Sequence, residues 1–161
     1  MAEAIPGTAR LARVVLEGEA LTRLSPAIEA DRAQAVADLE GENRFAPAGL
    51  GPGPFALHLS IRQGRLVLDI RDIAARKLTA LVLALGPFRR LIKDYQMLVD
   101  SHILAVEEGR EERIQAIDMG RRGLHNEGAE LMQARLRGKV AIDFGTARRL
   151  FTLVCVLHQR I

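Results

Sequence analysis

The stretch FALHLSIRQGRLVLDIR, residues 55–71, contains two runs in which every second residue is large and apolar. The first run extends from Phe55 to Ile61 and the second from Leu66 to Ile70. A period of two is typical of β-strands, whose successive side chains point to opposite faces. Because Gln63-Gly64 lies between the runs, the pattern predicts a β-hairpin with a tight glycine-containing turn.

Downstream of the hairpin, the sequence predicts one more strand and three helices. The run Leu78–Leu85 is almost continuously apolar, which is typical of a strand covered on both faces or deep in the sheet. Glycine and proline then separate three segments in which apolar residues recur at helical spacing. These segments are Pro87 to about Glu108, about Glu111 to Leu136, and Phe144 to about His158.

Upstream of the hairpin, Arg10–Glu17 is rich in valine and leucine and predicts a first strand. Ser25-Pro26 is a helix-start signal for a helix that extends to about Gly41. The proline- and glycine-rich segment 45–54 predicts a loop. The order β-α-β-β-β-α-α-α favours an α+β fold, an antiparallel sheet of about four strands with helices packed on one face.

Size and composition predict a single domain over residues 1–161, with residues 1–9 disordered. No apolar run approaches the ~20 residues of a membrane span, and no secretory signal is visible. A lone cysteine, Cys155, excludes an internal disulfide and favours the cytoplasm. Residues 1–50 carry five arginines against eight acids, and residues 51–161 carry eighteen bases against twelve acids. The basic part can attract phosphate-bearing partners, although a solvated arginine surface is the stronger explanation.

One arginine falls on an apolar helical face. When residues 114–132 are plotted at 100° per residue, Ile117, Leu124 and Arg121 share one face, and His125 lies at its edge. A guanidinium keeps its charge, so an arginine that faces a core must meet a carboxylate, carbonyl groups or a bound anion. We therefore expect a polar site, if the chain has one, near Arg121.

The candidate site residues extend from this point. Three histidines stand on or beside predicted apolar helix faces, and a buried polar cluster of histidines and arginine would have shifted pKa values. The alternative is that each histidine is a core residue with its own local partner. The ligand-binding candidates are Arg121, Arg122, His125 and Asn126, with His102 and His158 as weaker ones, and His125 is the one candidate for an acid or base.

Known motifs exclude several kinds of chemistry. Cys155 and His158 lie three residues apart, but a zinc site needs about four ligands and no second pair is present. The triplet His125-Asn126-Glu127 lacks the cysteine pair of zinc deaminases. No phosphate-binding glycine motif and no nucleophile elbow occur. We expect no metal and no cofactor.

Four segments carry a family resemblance: residues 42–49 (ENRFAPAG), 86–95 (GPFRRLIKDY), 117–132 (IDMGRRGLHNEGAELM) and 143–158 (DFGTARRLFTLVCVLH). Together they resemble the uncharacterised bacterial protein family UPF0262, over nearly the whole chain from about Arg10. The resemblance implies a bacterial, soluble, cytoplasmic protein, and it assigns no catalytic role to any residue.

Three functions remain open on these observations. The first is a non-catalytic binding protein for an anionic ligand or partner with phosphate or carboxylate groups, RNA included, met by Arg121 and Arg122. The second is an enzyme that uses His125 as acid or base and Arg121 as the substrate anchor. The third is an interaction module or homodimer formed through the early strand or a helix face.

Overall fold

The computed structural model describes residues 8–18 and 26–158. In these ranges the strands are β1 Leu11–Glu17, β2 Phe45–Pro47, β3 Phe55–Arg62, β4 Arg65–Asp72, β5 Lys77–Ala84 and β6 Val140–Ile142. The helices are α1 Pro26–Gly41, α2 Arg89–Glu107, α3 Glu111–Leu136 and α4 Phe144–Leu157. A short 3₁₀ turn, Gly86–Phe88, precedes α2.

Two predictions for the first part of the chain fall wholly or partly outside the described residues. The expected helix cap Ser25 lies outside the described residues, as do residues 1–7 of the expected disordered segment 1–9. Ala9 is described, is buried, and its carbonyl oxygen accepts a hydrogen bond from the Phe45 N–H. Ala9 is therefore packed against the rest of the fold.

The predicted hairpin is confirmed as β3 and β4, which pair antiparallel with Phe55 opposite Asp72 and Arg62 opposite Arg65. Gln63 and Gly64 both have positive φ angles, 53° and 72°, as a two-residue turn with the twist of the flanking strands requires. Alternate residues of the two strands, such as Leu57 and Leu68, are completely buried. They face the helices, and together they form one core.

The α+β class is confirmed, but the expectation of a purely antiparallel sheet is wrong. The four-stranded sheet has the order β1-β3-β4-β5, and β1 pairs with β3 in the parallel direction. The reason is the connection, since α1 and a long segment carry the chain back between the two strands. A parallel pair needs such a crossover, whereas a hairpin turn joins an antiparallel pair.

The expectation that Leu78–Leu85 is covered on both faces or lies deep in the sheet is also wrong. The strand β5 begins at Lys77, ends at Ala84 and lies at the edge of the sheet. Leu83 is buried on the inner face, but Leu78 is 39% exposed and Val82 is 49% exposed. Continuous apolarity therefore does not reflect burial on both faces here.

A second, two-stranded sheet was not predicted. The segment 45–54, expected to be a loop, begins with β2, which pairs antiparallel with β6. Each of these strands has three residues, too few to produce an alternating pattern in the sequence. The pair ties the region before β3 to the region before α4. In residues 8–18 and 26–158, no helix combines the length and apolarity that a bilayer crossing requires.

Candidate functional site

A cavity of about 290 Å³ lies where α1, α3 and α4 meet. Arg121 and His125, four residues apart on α3, both line it, because residues at this spacing lie on the same side of a helix. The other lining residues come from α1 and α4: Asp31, Gln34, Ala35, Asp38, Gly145, Arg148, Arg149 and Thr152. The cavity is therefore built from three helices that are far apart in the sequence.

Arg121 meets a carboxylate, as its position on an apolar helix face led us to expect. Its Nη2 donates to Oδ2 of Asp31 at 2.9 Å, and the Tyr95 hydroxyl donates to the same oxygen at 2.9 Å. Tyr95 is completely buried, and burial raises the pKa of its hydroxyl well above the usual value, with the negative Asp31 adding to the effect. Asp31 thus holds α1 against α2 and α3 through one oxygen atom.

His125 is held between two aromatic rings. The Tyr95 ring lies 5.9 Å from the imidazole in a tilted arrangement, and the Phe151 ring lies 6.1 Å from it in an edge arrangement. Burial lowers the pKa of His125 to about 4, and the positive Arg121 and Arg148 contribute to the shift. The ring is therefore neutral at pH 7. Its buried Nε2 makes no hydrogen bond to any described residue.

Arg148 and Arg149 bring two more guanidinium groups to the cavity from α4. Nε of Arg148 is buried and has no hydrogen-bond partner among the described residues. Arg149 donates from Nη1 to the carbonyl oxygen of Glu42 at 3.0 Å, which is a neutral acceptor. Neither arginine makes an ion pair within residues 8–18 and 26–158.

The start of α4 is fixed by its cap. Asp143 accepts a hydrogen bond from the Thr146 N–H at 3.0 Å, and the buried Thr146 hydroxyl accepts one from the Arg44 N–H at 3.0 Å. These bonds tie the first turn of α4 to the chain that follows α1. Gly145 in that turn lines the cavity, so the positive end of the α4 dipole lies beside it.

Two of the predicted site residues lie elsewhere. Arg122 and Asn126 are exposed and are not among the residues that line the cavity. One residue further along a helix is a rotation of 100°, so the side chains that follow Arg121 and His125 point to a different side. The expected group of four is therefore divided between the cavity and the surface of α3.

The weaker candidates His102 and His158 are also absent from the cavity lining. His102 approaches Asp118 of α3, with 3.8 Å between Nε2 and Oδ1. Nδ1 of His158 is buried and has no hydrogen-bond partner among the described residues, while its carbonyl oxygen accepts from Gln96. His102 and His158 therefore lie in separate surroundings. Of the predicted site residues, Arg121 and His125 are the ones that line the cavity.

The sequence interpretation missed Asp31, Arg148 and Tyr95 as members of this site. A signal for Asp31 was present, because it lies four residues before the buried Ala35 and eight before the buried Leu39 on one side of α1. Arg148 follows no motif in the sequence and was not among the candidate site residues. No pattern within one segment could show that α1, α2 and α4 meet at Arg121.

Metal and thiol chemistry gain no support from the geometry. Among the described residues, no group of three or more histidine, cysteine, aspartate or glutamate side chains is arranged to hold a metal ion. Cys155 is completely buried in α4, and burial raises the pKa of its thiol well above the usual value. A protonated, enclosed thiol is a packing group rather than a nucleophile.

Replacing Asp31 with alanine should lower the free energy of unfolding by about 2 kcal/mol. The change leaves the partly buried Arg121 guanidinium and the buried Tyr95 hydroxyl without their acceptor. Urea denaturation followed by circular dichroism measures the loss. Asp38→Ala on the same helix is the control, since Asp38 is exposed and its carboxylate accepts a single hydrogen bond from the described residues, that of Gln34. Equal effects of the two substitutions would contradict the role given to Asp31.

The comparisons with known proteins identify the family of the chain. A family model described as an uncharacterised protein family, UPF0262, matches residues 8–160. A UPF0262 protein of Granulibacter bethesdensis is 69% identical over 160 residues, covering 94% of this chain and 91% of the relative. One from Acidiphilium cryptum is 65% identical over 154 residues, covering 94% and 93%, and one from Rhodopseudomonas palustris is 51% identical over 151 residues, also covering 94% and 93%. No solved structure matches the chain. The resemblance in the four sequence segments is thus confirmed, and the chain belongs to the UPF0262 family of bacterial proteins.

Proposed function

We propose that this protein binds a small anionic ligand in the cavity between α1, α3 and α4. The observation that carries the proposal is the pair of buried nitrogen atoms, Nε2 of His125 and Nε of Arg148, that have no hydrogen-bond partner among the described residues. Buried polar atoms are nearly always hydrogen-bonded in folded proteins, so two such atoms beside one cavity call for an explanation. Both residues line the cavity, and a bound ligand with oxygen acceptors would satisfy both atoms after a small rotation of the two side chains.

The charge of the lining supports an anion. Three arginines and two aspartates line the cavity, and Asp31 is already engaged with Arg121. The remaining acid, Asp38, accepts a hydrogen bond from Gln34. Arg148 and Arg149 are thus left with positive charge that no described carboxylate contacts, and guanidinium groups bind phosphate and carboxylate oxygens in pairs of hydrogen bonds.

The size of the cavity limits the ligand. Its volume of about 290 Å³ equals that of roughly ten water molecules in the liquid. A small phosphate- or carboxylate-bearing compound fits within it, whereas an RNA strand would reach it only with one phosphate. Sequence-specific RNA recognition usually stacks bases on exposed aromatic rings, and Tyr95 and Phe151 beside the cavity are buried.

A cavity at His125 is also what the enzyme alternative requires. A general base at neutral pH works best with a pKa near the working pH. The pKa of His125 is lowered to about 4, so the ring is a weak base at pH 7. These properties favour a neutral hydrogen-bonding role for His125. We therefore propose anion binding, rather than catalysis, as the function of the cavity.

Titration calorimetry at low salt tests the proposal, with inorganic phosphate, succinate, AMP and a short RNA as probes. We expect one of the small anions to bind at a single site, with weaker binding at higher salt. Arg148→Gln should weaken that binding by about tenfold or more, because it removes a charge-assisted hydrogen bond. Circular dichroism shows whether the variant is folded.

Arg122→Gln is the matched control. Arg122 carries the same charge on the neighbouring helix, but it is exposed and lies outside the cavity. An equal loss of affinity in both variants would mean that the anion binds to the general positive charge of the surface. Binding of none of the four probes would remove the support for a small-anion site, and binding of RNA alone would favour the nucleic-acid alternative.

We also propose that the protein is located in the cytoplasm. The single cysteine of the chain is buried in α4, and a protein stabilised without disulfides is suited to a reducing compartment. Soluble phosphates and carboxylates are abundant there. Fractionation of the native bacterium, followed by detection of the protein with a specific antibody, would test the location directly.

A further inference from the structure

The two edges of the main sheet are treated differently. At the β1 edge, the Asn43 side chain accepts a hydrogen bond from the Leu11 N–H at 2.6 Å and donates one to the Leu11 carbonyl oxygen at 2.9 Å. Glu40 accepts a further bond from the Val14 N–H at 3.0 Å. Side chains that follow α1 or lie in its last turn thus occupy the outward backbone groups of Leu11 and the N–H of Val14, in the first half of β1. Unprotected edges promote pairing with other chains, and closure of this kind prevents it.

The β5 edge has no such protection among the described residues. Leu85 donates from its N–H to the Gly64 carbonyl oxygen, so the backbone groups of Leu85 face β4. Because neighbouring residues of a strand direct these groups to opposite edges, the groups of Ala80, Val82 and Ala84 point away from β4. No hydrogen bond from these groups to a described residue is present.

The side chains of β5 are suited to pairing with a further strand. The strand has eight residues without proline, and its only charged residue is Lys77 at the start. Val82 is 49% exposed on the outer face and lies opposite Val67 of β4. A long apolar edge strand without charge in its middle is the kind that monomeric proteins avoid.

We propose that two copies of this chain pair through β5, antiparallel and about a two-fold axis near Val82, to form one continuous sheet. Antiparallel pairing places the Lys77 residues of the two copies at opposite ends of the interface, whereas parallel pairing would bring them together. A two-fold axis perpendicular to the sheet also keeps the helices of both copies on the same side. The outward groups of Ala80, Val82 and Ala84 would then exchange hydrogen bonds with the same strand of the second copy.

The closed β1 edge determines the size of the assembly. A chain with two open edges would add copies indefinitely, whereas a chain with one open edge stops when that edge is paired. Because Asn43 and Glu40 block the first half of the β1 edge, a further strand cannot pair along it, and the expected product is a closed dimer. This difference between the two edges is also why we propose that the dimer forms through β5 rather than through the early strand β1.

Light scattering coupled to gel filtration tests this inference on the full chain. We expect the wild type to have twice the 17.7 kDa mass of the chain. Val82→Lys should shift it to the monomer by weakening dimerisation about tenfold or more, because like charges then meet across the interface. Met97→Lys is the control, since Met97 is an exposed apolar residue on α2, 58% exposed, and its replacement should leave the dimer intact.

Amide hydrogen exchange of the wild type gives a second measurement that does not depend on the variant folding. The Ala80 and Val82 amides should exchange more slowly as the protein concentration rises. A wild type that stays monomeric at high concentration would overturn the inference, and so would a folded Val82→Lys dimer. Protection of these amides at all concentrations in a monomer would show that the chain covers its own edge, which also overturns it.

Discussion

Replacing Gly128 with alanine is expected to destabilise the protein by about 3 kcal/mol, because the added methyl group would overlap a side chain of the close-packed core. Gly128 lies on the buried side of α3, where it faces α4. A Cβ atom added there would lie 2.4 Å from Cγ and Cδ2 of the Phe151 ring, far inside van der Waals contact. Phe151 is completely buried in the close-packed core, so the ring has no free space to enter.

The consequence reaches the candidate site. Phe151 also contacts the imidazole of His125, so a shift of the ring would move His125 within the cavity. We therefore expect Gly128→Ala to lower both the stability and the affinity for an anion. Chemical denaturation measures the first effect and titration calorimetry the second.

Gly123 supplies the control for this substitution. It lies on the same helix, it is exposed, and a Cβ added there would have nothing within 4 Å. Alanine is a better helix former than glycine, so Gly123→Ala should raise the free energy of unfolding by about 0.5–1 kcal/mol. If the two substitutions changed the stability in the same direction, the close approach of α3 and α4 at Gly128 would be wrong.

The second large effect concerns pH. The pKa of His125 is lowered to about 4 in the folded protein, mainly by burial, whereas an imidazole in an unfolded chain has a pKa of about 6.5. Between these values the unfolded chain binds a proton that the folded protein does not, so stability falls as the pH falls from about 6.5 to 4. We expect His125 alone to contribute a loss of about 2 kcal/mol between pH 7 and pH 4.5.

The variant His125→Gln isolates this contribution, because glutamine does not titrate. Unfolding free energies measured for both proteins at several pH values should diverge below pH 6.5, with the wild type losing stability faster. Acidic groups are common to both proteins and cancel in the difference, including Asp69, whose pKa its hydrogen bond with Arg71 lowers. Parallel curves would mean that His125 is accessible to solvent and not held as described.

The sequence predicts local structure well where a long pattern exists. The alternation in 55–71 is sufficient for the hairpin, and helical spacing is sufficient for α2, α3 and α4, since each covers three turns or more. It fails for β2 and β6, which are too short to show a period. It also fails for the direction of β1, because the parallel pairing depends on the path of the chain through α1.

The candidate site was likewise predictable only where a local sequence pattern exists. The position of Arg121 on an apolar face was sufficient to predict an oxygen-rich partner, because a guanidinium cannot lose its charge in a core. Asp31, which turned out to be that partner, lies 90 residues away on another helix, so no local pattern linked the two. The exposed Arg122 and Asn126 were grouped with the site because they are adjacent in sequence, and adjacency on a helix does not mean a shared face.

The central claim is that an anion contacts His125 and Arg148 inside the cavity, and NMR of the histidine side chains tests it most directly. With the imidazoles labelled with ¹⁵N, addition of inorganic phosphate, or of whichever small anion binds in calorimetry, should shift the His125 signals in a saturable manner. It should also raise the pKa of His125 above about 4, because the anion stabilises the protonated ring. The signals of His102, which lies outside the cavity lining, should stay unchanged. Saturable anion binding that leaves the His125 signals and pKa unchanged would contradict the account.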